Sequence, residues 1–200
     1  MMNELTERMI EIFEEIKKDD DLIALVIRGE GEDVFASGAD LTLVSEVLTS
    51  PQKGVLMSSY MTPLMSILRD CPLIVVNYLN GFVVGGGAEM STIGDFRIMA
   101  DKTGSGKANF IQFVHARIGA SPGWGGGGRL TNIVGRRHAL RLLGTSMRTS
   151  AQEALSIGLV DMIHHRDEQK SADEAILDFL RPYLEQPYPK SVRAMKRIVR

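Results

Sequence analysis

The sequence predicts an α/β fold with stacked parallel strands, formed by a single domain of 200 residues. Helix-like and strand-like segments alternate along the chain, an order that is typical of parallel sheets. Two apolar runs, at residues 22–27 and 73–76, lack polar alternation, which is typical of strands covered on both faces. Apolar residues make up 44% of the chain and charged residues 24%, so the chain can bury a core.

The first half of the chain begins with an amphipathic helix over residues 4–18, in which apolar residues recur at helical spacing. Those residues are Leu5, Met9, Phe13 and Ile16. The other predicted elements of this half are a strand at 22–27, a loop at 29–40, a helical stretch at 41–48, a helix at 54–69 and a buried strand at 73–76 that follows Pro72.

The second half has more helix than strand. Its predicted elements are a short helix at 88–93, a strand at 96–99, a loop at 101–108, an extended segment at 109–114, and helices at 127–134, 136–143, 150–155, 172–180 and 191–200. We expect the helix at 172–180 to stop before Pro182, because the residue before a proline disfavours helical backbone. No linker or fixed-period repeat divides the sequence.

Composition excludes several classes of function. The net charge of −2 provides no positive field for nucleic acid or an anionic membrane. The lone cysteine, Cys71, rules out an intramolecular disulfide framework, and with four scattered histidines it offers no zinc-binding pattern. The apolar runs are too short for a membrane span, and the first residues carry no leader pattern. We therefore expect a cytosolic protein without a metal, nucleic-acid partner or membrane.

Three literal motif matches do not predict sites. The run Gly123–Gly128 satisfies G-x-G-x-x-G, but no buried strand leads into it, as a dinucleotide site requires. The run Gly104–Lys107 resembles a phosphate-binding loop, yet Ala108 stands where a Ser or Thr is needed. His164 and His165 face opposite ways on an extended segment, which predicts exposed structure rather than a metal site.

Two separate turns, at residues 35–41 and 81–89, share one pattern. In each, an apolar extended segment leads through small residues into the start of a helix. Backbone N–H groups at such positions lack intrahelical partners and can bind an anion. If one N–H from each turn met at a common oxygen, the pair would form an oxyanion hole.

These turns resemble the two oxyanion-hole segments of the crotonase (enoyl-CoA hydratase/isomerase) superfamily. Further matching motifs stand at 95–97, at 119–122 with the glycines that follow, and at 154–161. The resemblance covers about residues 3–198 in the family's order, and it implies a crotonase-like ββα spiral of stacked parallel strands. Within the family, the motifs are most similar to those of members that decarboxylate ethylmalonyl-CoA.

The resemblance also implies roles for individual residues. The backbone N–H groups of Ala39 and Gly86 would hold the oxygen of a thioester carbonyl. Glu89 falls at the family's first catalytic carboxylate, whereas His115 occupies the position of the second. The substrate-binding set would comprise Ser37, Asp40 and Leu41 near the adenine of coenzyme A, together with Gly85 and Trp124, the last as part of the pocket wall.

The replacement of a carboxylate by His115 indicates the reaction class. Hydration of an enoyl thioester uses two positioned carboxyl groups, so a single Glu89 should hydrate poorly. Decarboxylation of a malonyl-type thioester needs an oxyanion hole and a proton donor, and no cofactor. We therefore expect decarboxylation of ethylmalonyl-CoA or methylmalonyl-CoA. Which of the two side chains orients the carboxylate and which protonates the enolate is left open.

Two alternatives accompany this prediction. One is an enoyl-CoA hydratase or isomerase that uses Glu89 alone, and the other is an inactive crotonase-like chain that acts as a binding or assembly partner. The second follows from an expectation that the domain, at residues 1–200, is incomplete at both termini relative to the family. The resemblance implies a homotrimer or hexamer, and we expect the absence of the family's C-terminal helices from this sequence to weaken that assembly.

Overall fold

A computed structural model of the chain describes residues 2–40, 50–167 and 169–199. It has a mixed α/β architecture with two four-stranded sheets in which most neighbouring strands run parallel. The predicted fold class is therefore confirmed. The predicted helical stretch at 41–48 lies outside the described residues.

The first sheet contains four parallel strands. In spatial order they are β1 (Ala24–Arg28), β3 (Ile74–Leu79), β5 (Phe96–Ala100) and β8 (Met162–His164). Every residue of β3 is buried, as the apolar run predicts. The same prediction is wrong for the edge strand β1, where Val26 is 37% exposed. A later helix covers the outer face of this sheet mainly over the central strands β3 and β5, so the edge strand β1 is covered less completely.

The second sheet is built from shorter strands. Their order is β2 (Val34–Ala36), β4 (Phe82–Val84), β6 (Phe110–Gln112) and β7 (Thr149–Ser150). The first three are parallel, and β7 pairs antiparallel with β6. The segment 29–40, predicted as a loop, thus contains β2. Three residues are too few to show the alternation by which a strand is recognised.

The helices agree well with the predicted positions. They are α1 (Met2–Lys18), α2 (Pro51–Arg69), α3 (Gly86–Ser91), a 3₁₀ helix (His115–Ile118), α4 (Gly126–Thr145), α5 (Ala151–Ser156), α6 (Ala172–Leu184) and α7 (Pro189–Ile198). In α1, Phe13 is buried as predicted, whereas the side chains of Leu5 and Met9 lie outside the description. Helix α2 begins at Pro51, earlier than predicted, because Ser50 caps it by accepting from the N–H of Lys53 at 3.4 Å.

Helix α4 agrees with the prediction in detail, whereas α6 does not. The predicted pair at 127–134 and 136–143 is confirmed within α4, which consists of two helical segments joined at Gly135, where φ 75° and ψ 161° are not helical. Helix α6 continues through Pro182 to Leu184, so the predicted stop is wrong. Aromatic packing accounts for the extension, because Phe96 contacts Phe179 and Tyr183 on either side of the proline, with ring centroids 5.2 and 5.8 Å apart.

The core consists of three apolar clusters that meet around the sheets. One joins β3, β4, β5 and β6 to α4 and α5, and another packs Phe13 and Trp124 against the buried face of α2. A third joins the outer face of the first sheet to α6. Burial of this kind contributes about 25 cal/mol per Å² of apolar surface and fixes the ends of β2, β4 and β6 relative to each other.

Candidate active site

The two glycine-bearing turns meet in the folded chain. Gly38 has φ +92°, and a Cβ built on it would lie 2.6 Å from the backbone nitrogen of Gly86. A Cβ on Gly87 would lie 2.0 Å from the carbonyl oxygen of Ala36. Side chains at these positions would therefore collide with the opposite turn. The parallel pairing of β2 with β4 brings the two turns together at the same edge of the second sheet.

The predicted oxyanion donors lie at this contact. Helix α3 begins at Gly86 after Gly85, whose φ is +57°, and the N–H of Gly85 donates to the carbonyl of Gln112 at 3.0 Å. Within residues 2–40, 50–167 and 169–199, the backbone N–H groups of Ala39 and Gly86 have no hydrogen-bond acceptor. Both residues are partly exposed, and a backbone N–H group without an acceptor can bind a ligand oxygen.

The predicted substrate-binding residues fall in different places. Gly85 is buried beneath the turn, while Ser37 and Asp40 are exposed beside Gly38. Leu41 lies outside the described residues. Trp124 is 9% exposed, and its indole packs on the turn so closely that a Cβ on Gly86 would approach the ring to 2.6 Å. The indole thus borders the turn that carries Gly86, and its role as part of a pocket wall stays a prediction.

Glu89 lies one turn into α3 and is 1% exposed. Its Oε2 accepts from the backbone N–H groups of Trp124 at 2.8 Å and Gly126 at 2.9 Å. Its Oε1 accepts from the N–H of Gly123 at 3.2 Å. The carboxylate therefore caps the N-terminus of α4, where the helix dipole also favours a negative charge. These three donors come from the same glycine-rich run that matched a dinucleotide motif by its letters.

Gly126 is the position that permits this arrangement. A Cβ on Gly126 would lie 2.5 Å from Cγ of Glu89 and 2.6 Å from its Cβ. The first residue of α4 must therefore be glycine for the carboxylate to reach the helix end. Gly128, in the same run, has open space at its Cβ position and carries no such requirement.

His115 completes a buried pair with Glu89. It opens the 3₁₀ helix that follows β6, and its Nε2 lies 3.1 Å from Oε1 of Glu89. The imidazole is buried, and Nδ1 has no hydrogen-bond partner among the described residues. The preceding residue, Val114, packs its Cγ2 3.4 Å from the Cβ position of Gly85. His115 thus follows directly on a residue that contacts the turn carrying Gly86.

Arg129 is a buried residue of this site that the sequence analysis missed. Its Nη2 donates to the carbonyls of Trp124 at 2.9 Å and Glu89 at 3.2 Å, and its Nε donates to Oγ1 of Thr92 at 2.9 Å. Burial lowers the pKa of the guanidinium, and the nearby Glu89 carboxylate opposes that shift. Arg129 therefore ties α3 to the loop before α4. In the sequence, the only indication of this role is that a basic residue directly follows the glycine run.

Other features of the structure lie away from this site. A cavity of about 650 Å³ is lined mainly by residues of α6, α7 and the segment between them, and none of the predicted site residues lines it. In the described part of the chain, no group of three or more metal-ligating side chains could hold a metal ion. Likewise, none of the helices described here combines the length and apolar character of a membrane span.

The histidine pair on the extended segment is placed differently from the prediction. His164 lies on β8 and is only 5% exposed, so its predicted exposure is wrong. Its Nδ1 lies 2.6 Å from the hydroxyl of Tyr78 and its Nε2 lies 3.0 Å from the carbonyl of Lys170. Pairing of β8 with β5 buries this side chain, while His165 on the opposite side remains largely exposed.

Comparison with known proteins decides the family. A family model described as "Enoyl-CoA hydratase/isomerase" matches residues 1–200. The chain belongs to this family. The resemblance to this family that the two turns indicated is thereby confirmed.

Curated relatives of this family member are named ethylmalonyl-CoA decarboxylase. The protein of that name from Mus musculus is 35% identical over 199 residues, and the one from Xenopus laevis is 37% identical over 199 residues. Both matches cover 100% of this chain but only 58% and 62% of the respective relative. The chain thus spans about three-fifths of the length of these relatives.

Solved structures of the enoyl-CoA hydratase/isomerase fold match the architecture closely. An enoyl-CoA hydratase from Bacillus anthracis has a TM-score of 0.83 and 27% identity, covering 98% of this chain and 71% of that structure. The Pseudomonas aeruginosa protein DspI has a TM-score of 0.80 and 26% identity, covering 96% of this chain and 68% of that structure. These matches confirm the crotonase-type arrangement of stacked parallel strands.

Proposed function

We propose that the chain decarboxylates a short branched malonyl-type acyl-CoA, with ethylmalonyl-CoA and methylmalonyl-CoA as candidate substrates. The observation that carries this proposal is the pairing of His115 with Glu89 at 3.1 Å. In the family pattern, the position of His115 holds a second carboxylate, which hydration requires. The curated relatives named ethylmalonyl-CoA decarboxylase support the same reaction class.

The N–H groups of Ala39 and Gly86 would bind the carbonyl oxygen of the thioester. When the bond between the α-carbon and the carboxylate breaks, its electron pair moves into the thioester and CO₂ leaves. The negative charge then rests largely on the oxygen between the two N–H donors. Removal of one donor from such a hole costs on the order of 3 kcal/mol of barrier.

A proton delivered to the α-carbon completes the reaction and yields a saturated acyl-CoA. We propose that the reaction needs no metal or organic cofactor, because the thioester carbonyl itself accepts the electron pair. The acyl-CoA would be the principal partner, with Ser37, Asp40, Leu41, Gly85 and Trp124 as the binding residues. The cytosolic location and the trimeric or hexameric assembly stay predictions.

The test compares three thioesters with one sample of purified protein. CO₂ release is followed with ethylmalonyl-CoA and methylmalonyl-CoA, and loss of enoyl absorbance is followed with crotonyl-CoA. The proposal expects CO₂ release from at least one branched malonyl thioester and little hydration of crotonyl-CoA. Hydration without CO₂ release would replace it with the hydratase alternative. Binding of coenzyme A without any turnover would favour an inactive binding partner.

A further inference from the structure

We propose that His115, through Nδ1, delivers the proton to the α-carbon, and that Glu89 positions the imidazole without touching the substrate. This inference rests on the proposed function, because it assigns two roles within that reaction. It makes His115 the catalytic residue and Glu89 a positioning residue. The sequence leaves this choice open, and the contacts of Glu89 and His115 in the folded site decide it.

Glu89 has no acceptor position left for a substrate. An ionised carboxylate offers about four lone-pair positions. Three backbone N–H groups and the Nε2 of His115 lie within 3.2 Å of its two oxygens. A proton on either carboxylate oxygen would occupy one of these lone-pair positions, so one of the N–H donors would lose its acceptor. Because a buried donor left unpaired costs about 1–3 kcal/mol, the site favours a Glu89 that stays ionised and fixed.

The same contacts orient the imidazole. A carboxylate oxygen carries only lone pairs, so Nε2, the imidazole nitrogen 3.1 Å from Oε1 of Glu89, is the one that carries a proton facing it. Nδ1 is then the ring nitrogen available for other chemistry. This atom is buried and lacks a hydrogen-bond partner among the described residues, and His115 as a whole is 9% exposed. A buried polar atom without a partner is uncommon in folded proteins and calls for a functional explanation.

The proton passes from the imidazolium to the enolate. The enolate forms when the bond to the departing CO₂ breaks, and its electron pair then takes the proton from Nδ1 of the imidazolium. A C–H bond forms, the Nδ1–H bond breaks, and the thioester carbonyl is restored. The imidazole is left neutral with Nε2–H still facing Glu89. It recovers a proton from water before the next turnover.

Two variants of His115 distinguish a role as proton donor from a purely structural role. In His115→Gln, the amide nitrogen can reach the place of Nε2 and keep the contact with Glu89. In His115→Asn, the amide reaches the place of Nδ1 and loses that contact. Neither amide transfers protons at neutral pH. Both variants should therefore lose catalysed protonation, although only one of them keeps the contact with Glu89.

The assay is exchange of the α-proton of butyryl-CoA in D₂O, followed by mass spectrometry. This exchange runs the protonation step in both directions and needs no CO₂ release. We expect exchange by the unaltered chain and a loss of at least about 100-fold in both variants. In D₂O, decarboxylation of ethylmalonyl-CoA should place deuterium on one face of the α-carbon with the unaltered chain and on both faces with either variant.

Three outcomes would overturn the assignment or separate it from the proposed function. Exchange by His115→Gln within about fivefold of the unaltered chain would mean that His115 only holds Glu89, which overturns it. Exchange without CO₂ release from any malonyl thioester would retain this inference and reject the proposed function. CO₂ release with stereospecific labelling in both variants would retain the proposed function and reject this inference.

A measurement on the unaltered chain tests the assignment even if the variants do not fold. With ¹⁵N-labelled histidine, nuclear magnetic resonance reports each ring nitrogen separately. We expect the Nε2 of His115 to be protonated throughout, and the Nδ1 signal to shift when butyryl-CoA binds. An unshifted Nδ1 signal in the saturated complex would overturn the assignment.

Discussion

The Nε2 atom of His115 lies 3.1 Å from Oε1 of Glu89, a carboxylate that is 1% exposed and also accepts three backbone N–H groups. This contact ties the start of the 3₁₀ helix after β6 to α3 and to the N-terminus of α4. An anion at a helix N-terminus is favoured by the helix dipole, so Glu89 has a structural role in addition to the chemical role proposed for it.

The contact between the two turns predicts a large effect of Gly38→Ala. A Cβ at this position would lie 2.6 Å from the backbone nitrogen of Gly86 and displace one oxyanion donor. We expect kcat/KM for CO₂ release to fall by about 10²–10³-fold, the loss typical of one missing donor. The matched control is Gly31→Ala, because Gly31 also has a positive φ, +74°, but has open space around its Cβ position.

Gly31→Ala should therefore show the conformational strain alone, as a loss of about 1–2 kcal/mol in the free energy of unfolding with kcat/KM retained. Steady-state kinetics and urea denaturation on both variants measure the two effects. If the two variants had equal kcat/KM, the meeting of the turns would have no part in the chemistry.

The close approach of Glu89 to α4 predicts that Gly126→Ala is harmful. The added methyl group would meet Cγ of Glu89 at 2.5 Å and push the carboxylate away from its N–H donors. We expect a loss of about 1–3 kcal/mol in the free energy of unfolding, together with reduced CO₂ release. Gly128→Ala lies in the same helix with open space around it, and should stabilise by about 0.5–1 kcal/mol. Similar unfolding midpoints for the two would be inconsistent with this geometry.

Arg129→Met tests the hydrogen bonds between α3 and the loop before α4. The substitution preserves much of the side-chain volume but leaves the Trp124 carbonyl without its donor. We expect the free energy of unfolding to fall by about 2–3 kcal/mol, the range for a lost hydrogen bond to a charged group. Arg137→Met, at an exposed position of the same helix, should stay within about 0.5 kcal/mol of the unaltered chain. Chemical denaturation of both variants distinguishes the loss of these hydrogen bonds from a general loss of charge.

The capping box of α5 predicts a pH dependence of stability. The backbone N–H of Ser150, and then its hydroxyl, donate to the Glu153 carboxylate and lower its pKa from 4.5. A lowered pKa stabilises the fold above pH 4.5, and this contribution disappears as the pH falls through the folded-state value. We expect Glu153→Gln to be less stable than the unaltered chain at neutral pH, with the difference shrinking in acid.

Urea denaturation at neutral and acidic pH measures this difference, with Glu30→Gln at an exposed position as the control for loss of a charge. A stability difference for Glu153→Gln that is the same at both pH values would contradict the role of the capping box.

The place of the candidate site could be predicted because the close approach of its two turns requires glycine. Gly38 and Gly87 must be glycine where backbone from one turn approaches the other, so the glycines themselves mark the place. The apolar run of β3 could likewise be assigned, since a central strand is covered on both faces. Identification of the turns with a known family then supplied Ala39 and Glu89.

Other parts carry no local signal. Strands such as β2 and β7 contain two or three residues, too few for a periodic pattern, and they exist because a neighbouring strand supplies hydrogen bonds. Arg129 binds carbonyl groups distant in sequence, which no spacing rule anticipates. The persistence of α6 through Pro182 depends on Phe96, a residue of another element. Tertiary contacts decide each of these features.

The central claim is that the N–H groups of Ala39 and Gly86 bind one thioester oxygen. Difference infrared spectroscopy of butyryl-CoA, labelled with ¹³C at the thioester carbonyl, tests it most directly. Two donors weaken the carbonyl bond, so its stretching frequency should fall when the thioester binds the unaltered chain and fall less when it binds Gly38→Ala. A saturated complex whose carbonyl absorbs at the frequency of free butyryl-CoA would contradict the account.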